Sequence, residues 1–197
     1  SAPAAGDWTT IRFHDTSNDA NSVIQNTIIR YAGENNGQNF GAIQLEAASP
    51  TISNTLIENS FWYAISADVN SFPKLSGNQV QHNAGNGLEI RRGEMTASGS
   101  WRNTDMPYTI LGAISIRDGA TLSLEPGVVV KLGNDAFIDV FGSFKAVGTA
   151  GNKITFTSLR DDTVGGDTNG DQASSVPAPG DWTTIRFRDT SNDTNST

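Results

Sequence analysis

The residues whose types and spacing most clearly suggest chemistry lie in one acidic run, Asp161-Asp-Thr-Val-Gly-Gly-Asp-Thr-Asn-Gly-Asp171. Within it Asp167, Asn169 and Asp171 form D-x-N-x-D, which sets three oxygen donors on alternate positions of a glycine-bent loop. Calcium takes about six to eight hard oxygen ligands, and this spacing supplies the opening half of an EF-hand-type loop. The glutamate that would close such a loop at the twelfth position is missing, since counting from Asp167 reaches Ala178. Asp161 and Asp162 are the expected donors from the other side. Clustered carboxylates repel one another without a cation, and an ion would order a long stretch that lacks apolar periodicity. The competing expectation is a solvated acidic loop.

Other candidates are thinner. Trp62 and Tyr63, beside Phe61, form an aromatic cluster that could stack on sugar rings, although aromatic residues more often fill a core. His14 and His82 are the only histidines. Arg91, Arg92 and Glu94 make an expected exposed charged cluster, the best available for a lyase-type base. A glycosidase would need two acids set about 6.5–9.5 Å apart for inversion, and no matching pair stands on the expected strands. No catalytic residue is assigned. Asp15-Thr-Ser-Asn-Asp19 reads as a turn in which short polar side chains bond nearby amides.

Composition narrows the classes. The 197 residues carry a formal net charge of −8, only 17% charged residues and 36% hydrophobic ones. The acidic balance argues against nucleic acid as a partner, whose phosphates need a basic face. There is no cysteine, so disulfides, thiolate metal sites and thiol catalysis are excluded. No apolar run approaches a membrane span, and the beginning of the sequence carries no signal-peptide pattern.

The elements that must position these groups are short and repeated. Ala42-Ile-Gln-Leu45, Leu88-Glu-Ile90, Ile114-Ser-Ile116, Leu122-Ser-Leu124 and Ile154-Thr-Phe156 alternate at period two between turn residues, which predicts many short strands. VIQNTII at Val23–Ile29 matches TISNTLI at Thr51–Ile57, and KLSGNQV at Lys74–Val80 follows 23 residues later. GAIQL at Gly41, YAISA at Tyr63 and GLEI at Gly87 align in step with them. A period in the low twenties suits one coil of a parallel β-helix, with three short strands per rung. One rung is expected from Ile114–Ile116, Leu122–Leu124 and Val128–Leu132, and the next from Ile138–Val140, Phe144–Ala146 and Ile154–Phe156. Asn26, Asn54 and Asn78 are expected to stack at one corner, where side-chain amides can satisfy backbone groups.

A larger repeat encloses the smaller one. Ser1–Ser22 returns as Ser175–Ser196 with four differences, at Ala2/Val176, Ala5/Pro179, His14/Arg188 and Ala20/Thr194. Residues 1–174 therefore read as one unit, and 175–197 as the start of the next within the same solenoid. Seven or eight rungs are expected per unit. Neither end shows a polar cap, and a continuing array would cover both.

The stretch Ile114–Asp162 and the block Thr51–Ser66 resemble secreted bacterial right-handed parallel β-helix repeat proteins. The resemblance implies an all-β, right-handed parallel β-helix, a fold that carries lyases, hydrolases, adhesins and scaffolds alike. The expected role is a structural unit of a long extracellular or cell-surface fibre, stalk or adhesin. Its expected partners are adjacent copies end to end and, secondarily, a polysaccharide or cell-surface ligand, with Ca2+ in the acidic loop. The alternative is a carbohydrate-active β-helix, either a polysaccharide lyase or a sugar-binding module.

Overall fold

The computed structural model describes residues 2–33, 39–102, 105–192, 194 and 196. Among the described residues it is all-β, and every strand pair is parallel. The first rung holds β1 (Ile11–Phe13), β2 (Val23–Gln25) and β3 (Ile28–Arg30); the second holds β4 (Ile43–Leu45), β5 (Thr51–Ser53) and β6 (Leu56–Glu58). The third holds β7 (Tyr63–Ala67), β8 (Lys74–Ser76) and β9 (Gln79–Gln81); the fourth holds β10 (Gly85–Ile90), β11 (Gly93–Met95) and β12 (Gly99–Trp101). The fifth holds β13 (Tyr108–Ile110), β14 (Ala113–Ile116) and β15 (Thr121–Leu124); the sixth holds β16 (Val129–Leu132), β17 (Phe137–Val140) and β18 (Ser143–Ala146). Finally, β19 (Thr155–Ser158) and β20 (Thr184–Phe187) open a seventh.

The parallel β-solenoid with three strands per rung is the fold that the inner period predicts. The register agrees residue by residue, with Ile43 beside Ile65, Ile52 beside Leu75, Ile114 beside Ile138 and Val130 beside Phe156. The rung count is lower than expected. Among the described residues of 1–174 there are nineteen strands, or six rungs and one strand, because the long connection between β19 and β20 consumes residues without adding a strand.

One face runs unbroken through the molecule, in the order β1-β4-β7-β10-β13-β16-β19; this is the front sheet. Its inward column reads Ile11, Ile43, Ile65, Leu88, Tyr108, Val130 and Phe156. The five members from Ile43 to Val130 are buried. Stacking like side chains fills the coil, and each fully buried aliphatic chain contributes about 1.5–3 kcal/mol relative to exposure.

The other two faces each break after the third rung. They run as β2-β5-β8 and β3-β6-β9 in the first half, and as β11-β14-β17-β20 and β12-β15-β18 in the second. The corner between them changes at the same place. In the first half, the strands turn at Asn26, Asn54 and Gly77, all left-handed, with φ of 52°, 49° and 66°. That conformation costs an ordinary L-residue about 1–2 kcal/mol, and Asn and Gly tolerate it best. In the second half the corner varies, with three residues between β11 and β12, four between β14 and β15 and two between β17 and β18, and the side-sheet strands have four residues from the fifth rung onward.

The corner corrects one expectation. The register from Ser53 to Ser76 places Gly77, not Asn78, beside Asn54. Asn78 lies one residue later, where its Oδ1 accepts from Thr55 N at 3.1 Å and its Nδ2 donates to Ile52 O at 2.9 Å. Asn83 performs the same task at the next corner, towards Ser60 N and Ile57 O. Left-handed turn and backbone cap are thus two neighbouring corner roles held by different residues.

Candidate functional site

The outward residues of the front sheet form a polar column: Gln44, Ser66, Glu89, Thr109 and Lys131, each paired with the next. Their neighbours along each strand face the core, so these side chains leave the coil. All five are nevertheless buried, Ser66, Thr109 and Lys131 at 0% exposure. Something must therefore cover them.

Over the lower part of the column the cover is the acidic loop itself. The connection from β19 to β20 folds back across the front sheet as a strap. Lys131 Nζ donates to Gly166 O at 2.6 Å, and Asn86 N donates to Thr168 O at 2.8 Å. The register of β10 against β7 slips between Gly85 and Leu88, and this irregularity includes Asn86. Bulges of this kind release backbone groups from a ladder. Gly87 lies directly beneath the strap, where a Cβ would sit 2.9 Å from Thr168 Cγ2 and 3.0 Å from Pro107 O.

Burial lowers the basicity of Lys131, and the carboxylates of Asp162, Asp161 and Asp167 oppose that by favouring its charge. The molecule thus supplies one cation of its own to the acidic loop. Ligand-forming oxygens of Asp162, Asp167 and Asp171 lie within 4.8 Å of one another. Burial raises the affinity of Asp162 for its proton, and the charges of Asp167 and Asp171 add to the effect. Asp161 turns aside: its carboxylate accepts from Thr157 Oγ1 at 2.6 Å and from Thr163 N at 3.1 Å, and these bonds hold it below the usual carboxylate range.

The same loop can be tested for fit to calcium. Asp167 accepts from Asp171 N and Gln172 N, and Asp171 accepts from Ser174 N, Ser175 N and Asn169 Nδ2. These bonds tie the loop together and occupy part of each carboxylate. Asp162 Oδ1 and Asn169 Oδ1 are buried without a hydrogen-bond partner. The donor set is all oxygen, which suits a hard cation. Three carboxylates converge, with Asp161 outside the set, and the unpartnered Asn169 oxygen lies in the same loop.

Above the strap the column opens into a cleft of about 480 Å³ lined by Trp62, Glu89, Arg91, Arg92, Leu111 and Asn39, among others. Glu89 accepts from Trp62 Nε1 at 2.9 Å and from Ser66 Oγ at 2.6 Å. Its carboxyl is pushed up by burial, against the pull of those two donors. Arg91 is not a free surface base. Its guanidinium donates to Leu45 O, Ser66 O and Ser66 Oγ, and burial lowers its basicity. Arg92 is exposed, and Glu94 pairs instead with Arg117 at 3.6 Å.

The aromatic pair divides. Trp62 is half-buried at the cleft, whereas Tyr63 is 4% exposed and lies against Gly85, with its phenol pushed up by burial. Tyr63 is buried beside Glu89 and Thr109 of the polar column and offers no face to a sugar. His14 lies in an exposed pair with Glu46 at 3.0 Å, and His82 occupies an exposed left-handed corner.

Sequence reasoning missed Lys131 and Glu89. Their signal was present as charges at outward positions of strongly apolar strands. Searches against family models, curated proteins and solved structures gave no match.

Proposed function

We propose that this chain is a repeat unit of a long structural solenoid, serving as a fibre, stalk or adhesin outside the cell or on its surface. The observation that carries this reading is β20. The second copy of the repeated segment does not begin a separate body, but adds a strand to a running sheet by pairing with β17. A repeat that extends its predecessor's sheet builds length, and solenoids of this kind gain stability through each added interface. Their partners are neighbouring copies, and activity is not required. Reading the parent gene on either side of this segment, together with electron micrographs of the native particle, tests the proposal. Further 174-residue repeats and a rod are expected; unrelated flanking sequence and a globular particle would overturn it.

In the same reading calcium joins Asp162, Asp167, Asp171 and Asn169 and stiffens the strap. Titration calorimetry with calcium chloride should then find one site per chain, and the melting temperature should fall when a chelator is added. An absence of heat and an unchanged melt would remove calcium and leave the scaffold reading standing.

One observation favours a second reading, a carbohydrate-binding role. The cleft joins the half-buried indole of Trp62 to the exposed guanidinium of Arg92, a combination suited to an acidic sugar. Binding of uronate oligosaccharides that is abolished by Trp62→Ala would support it, and the absence of binding would remove it.

A further inference from the structure

The two copies of the repeated segment share their local fold but face opposite neighbours. Asp7 N donates to Ala4 O at 3.2 Å, as Asp181 N does to Ala178 O. Ala4 N donates to Asp7 Oδ2 at 2.9 Å, as Ala178 N does to Asp181 Oδ2. Yet β1 ends the front sheet and pairs forward with β4, whereas β20 ends a side sheet and pairs backward with β17. The backbone edges are complementary as well. In the first copy Ile11 N donates to Ala42 O and Phe13 O accepts from Glu46 N. In the second, Arg188, the counterpart of His14, donates its N–H to Val140 O. Each copy thus displays half of the surroundings of one strand.

From this we infer that the open edge of β1 is a docking surface for the β17 edge of a preceding copy, and that successive units are rotated by one face of the coil. This rests on the tandem-repeat reading and adds its geometry. The occupant is identified by what the second copy already touches. Arg186 pairs with Asp139 at 2.7 Å and lies over the Phe137 ring at 4.6 Å. Its counterpart Arg12 pairs with Glu46 and lies 5.8 Å from the Phe40 ring. At a junction the one arginine bridges Asp139 of the preceding copy and Glu46 of its own. Asp181 is 7% exposed and bonds Ser158 Oγ at 2.6 Å and Arg160 at 3.2 Å, while its counterpart Asp7 is exposed. Trp8 is likewise 38% exposed, whereas Trp182 packs against the core.

The rotation follows from the strand count. The described residues of 1–174 contain nineteen strands, one more than six rungs of three, so the repeated strand returns one face further round. The side sheet ending in β17 continues as the next unit's front sheet. Straps and clefts therefore point in three directions along the array, and every third unit restores the first.

The test is a chain of two units, residues 1–174 followed by the full 197. In this cysteine-free protein, Asp139→Cys in the first unit is combined with Arg12→Cys in the second. Oxidation is expected to close that pair, while Thr157→Cys with the same second-unit cysteine stays open. Amide exchange reads the same junction without a core substitution. Both the Ile11 and His14 amides of the second unit should be protected at once, whereas the first unit's His14 amide exchanges freely. If the Thr157 pair closes instead, the units stack face on face and the rotation is overturned. If neither pair closes and the second unit's His14 amide exchanges freely, the docking surface is overturned. Should the two units also tumble as separate bodies, the tandem-solenoid reading falls with it.

Discussion

The first three rungs and the next three share one front sheet but turn their corners differently. In the first half two residues separate two three-residue strands at each corner, the first of them left-handed: Asn26, Asn54 or Gly77. Each of these strands points one residue into the coil, such as Ile52 or Ile57. On the side sheets of the fifth and sixth rungs the strands have four residues, and two point inward, as Ile114 and Ile116 do on β14. The left-handed corner carries strain between strands of little apolar area; the longer strands bury more, and their corners need no left-handed residue at every rung. A solenoid can therefore change its cross-section midway, provided one sheet carries the register across the change.

The largest expected effect tests that shared sheet. Ile65→Ala removes a side chain of 0% exposure from the front column and should cost about 2–5 kcal/mol in denaturant unfolding. A cost equal to that of a surface substitution would mean that the column does not hold the halves together. In the second half, Gly142→Ala would drive a Cβ into the carbonyl oxygens of Ala120 and Arg117, and overpacking of this kind costs about 1–3 kcal/mol. In the first half, Asn54→Ala should cost about 1–2 kcal/mol because Ala is poorer in left-handed backbone, while Asn54→Gly should be close to neutral. Equal losses for the two Asn54 variants would shift the corner's cost from backbone to side chain.

A smaller effect concerns the tether of β20. Burial opposes ionisation of Asp139, but hydrogen bonds from Arg188 and Arg186 outweigh it and hold its carboxyl below the usual value of 3.8. The Asp181 carboxyl is lowered by Ser158 and the Ala178 amide. A depressed carboxylate stabilises the fold above its unfolded value, and that contribution is lost as pH falls through the folded one. Trp182 fluorescence should therefore report release of the terminal segment below about pH 4, before the core unfolds. Asp139→Asn should loosen the segment already at neutral pH. The smallest effect is Arg12→Ala, whose exposed pair with Glu46 contributes about 0–1 kcal/mol.

How much of this could be read from the residues depends on which contacts are local. Period-two alternation separated Ile114 and Ile116 from Ser115, and repeat offsets aligned Ile43 with Ile65, so rungs and register were legible. Alternation tells which side chains leave the coil, but not whether another segment covers them. Lys131 and Glu89 were therefore invisible as buried charges, since the strap that covers Lys131 arrives from 35 residues further on. Tyr63 was misassigned for a related reason: an aromatic beside Trp62 looked available, and Gly85, one rung on, seals it. The acidic loop was legible as a cluster. Its internal cation and the turning aside of Asp161 were not, because both depend on tertiary placement. The face shift between the two copies required counting strands, and the rung estimate ran high because the strap adds length without adding a strand.

The central claim is that the repeated segment extends one continuous solenoid. Small-angle scattering on the 197-residue chain and on the two-unit chain tests it most directly. The account predicts an unchanged cross-sectional radius and a maximum dimension longer by roughly 30 Å, the rise of about six rungs at the strand spacing of a stacked sheet. A profile of two bodies joined by a flexible link, with a cross-section that does not persist along the particle, would contradict it.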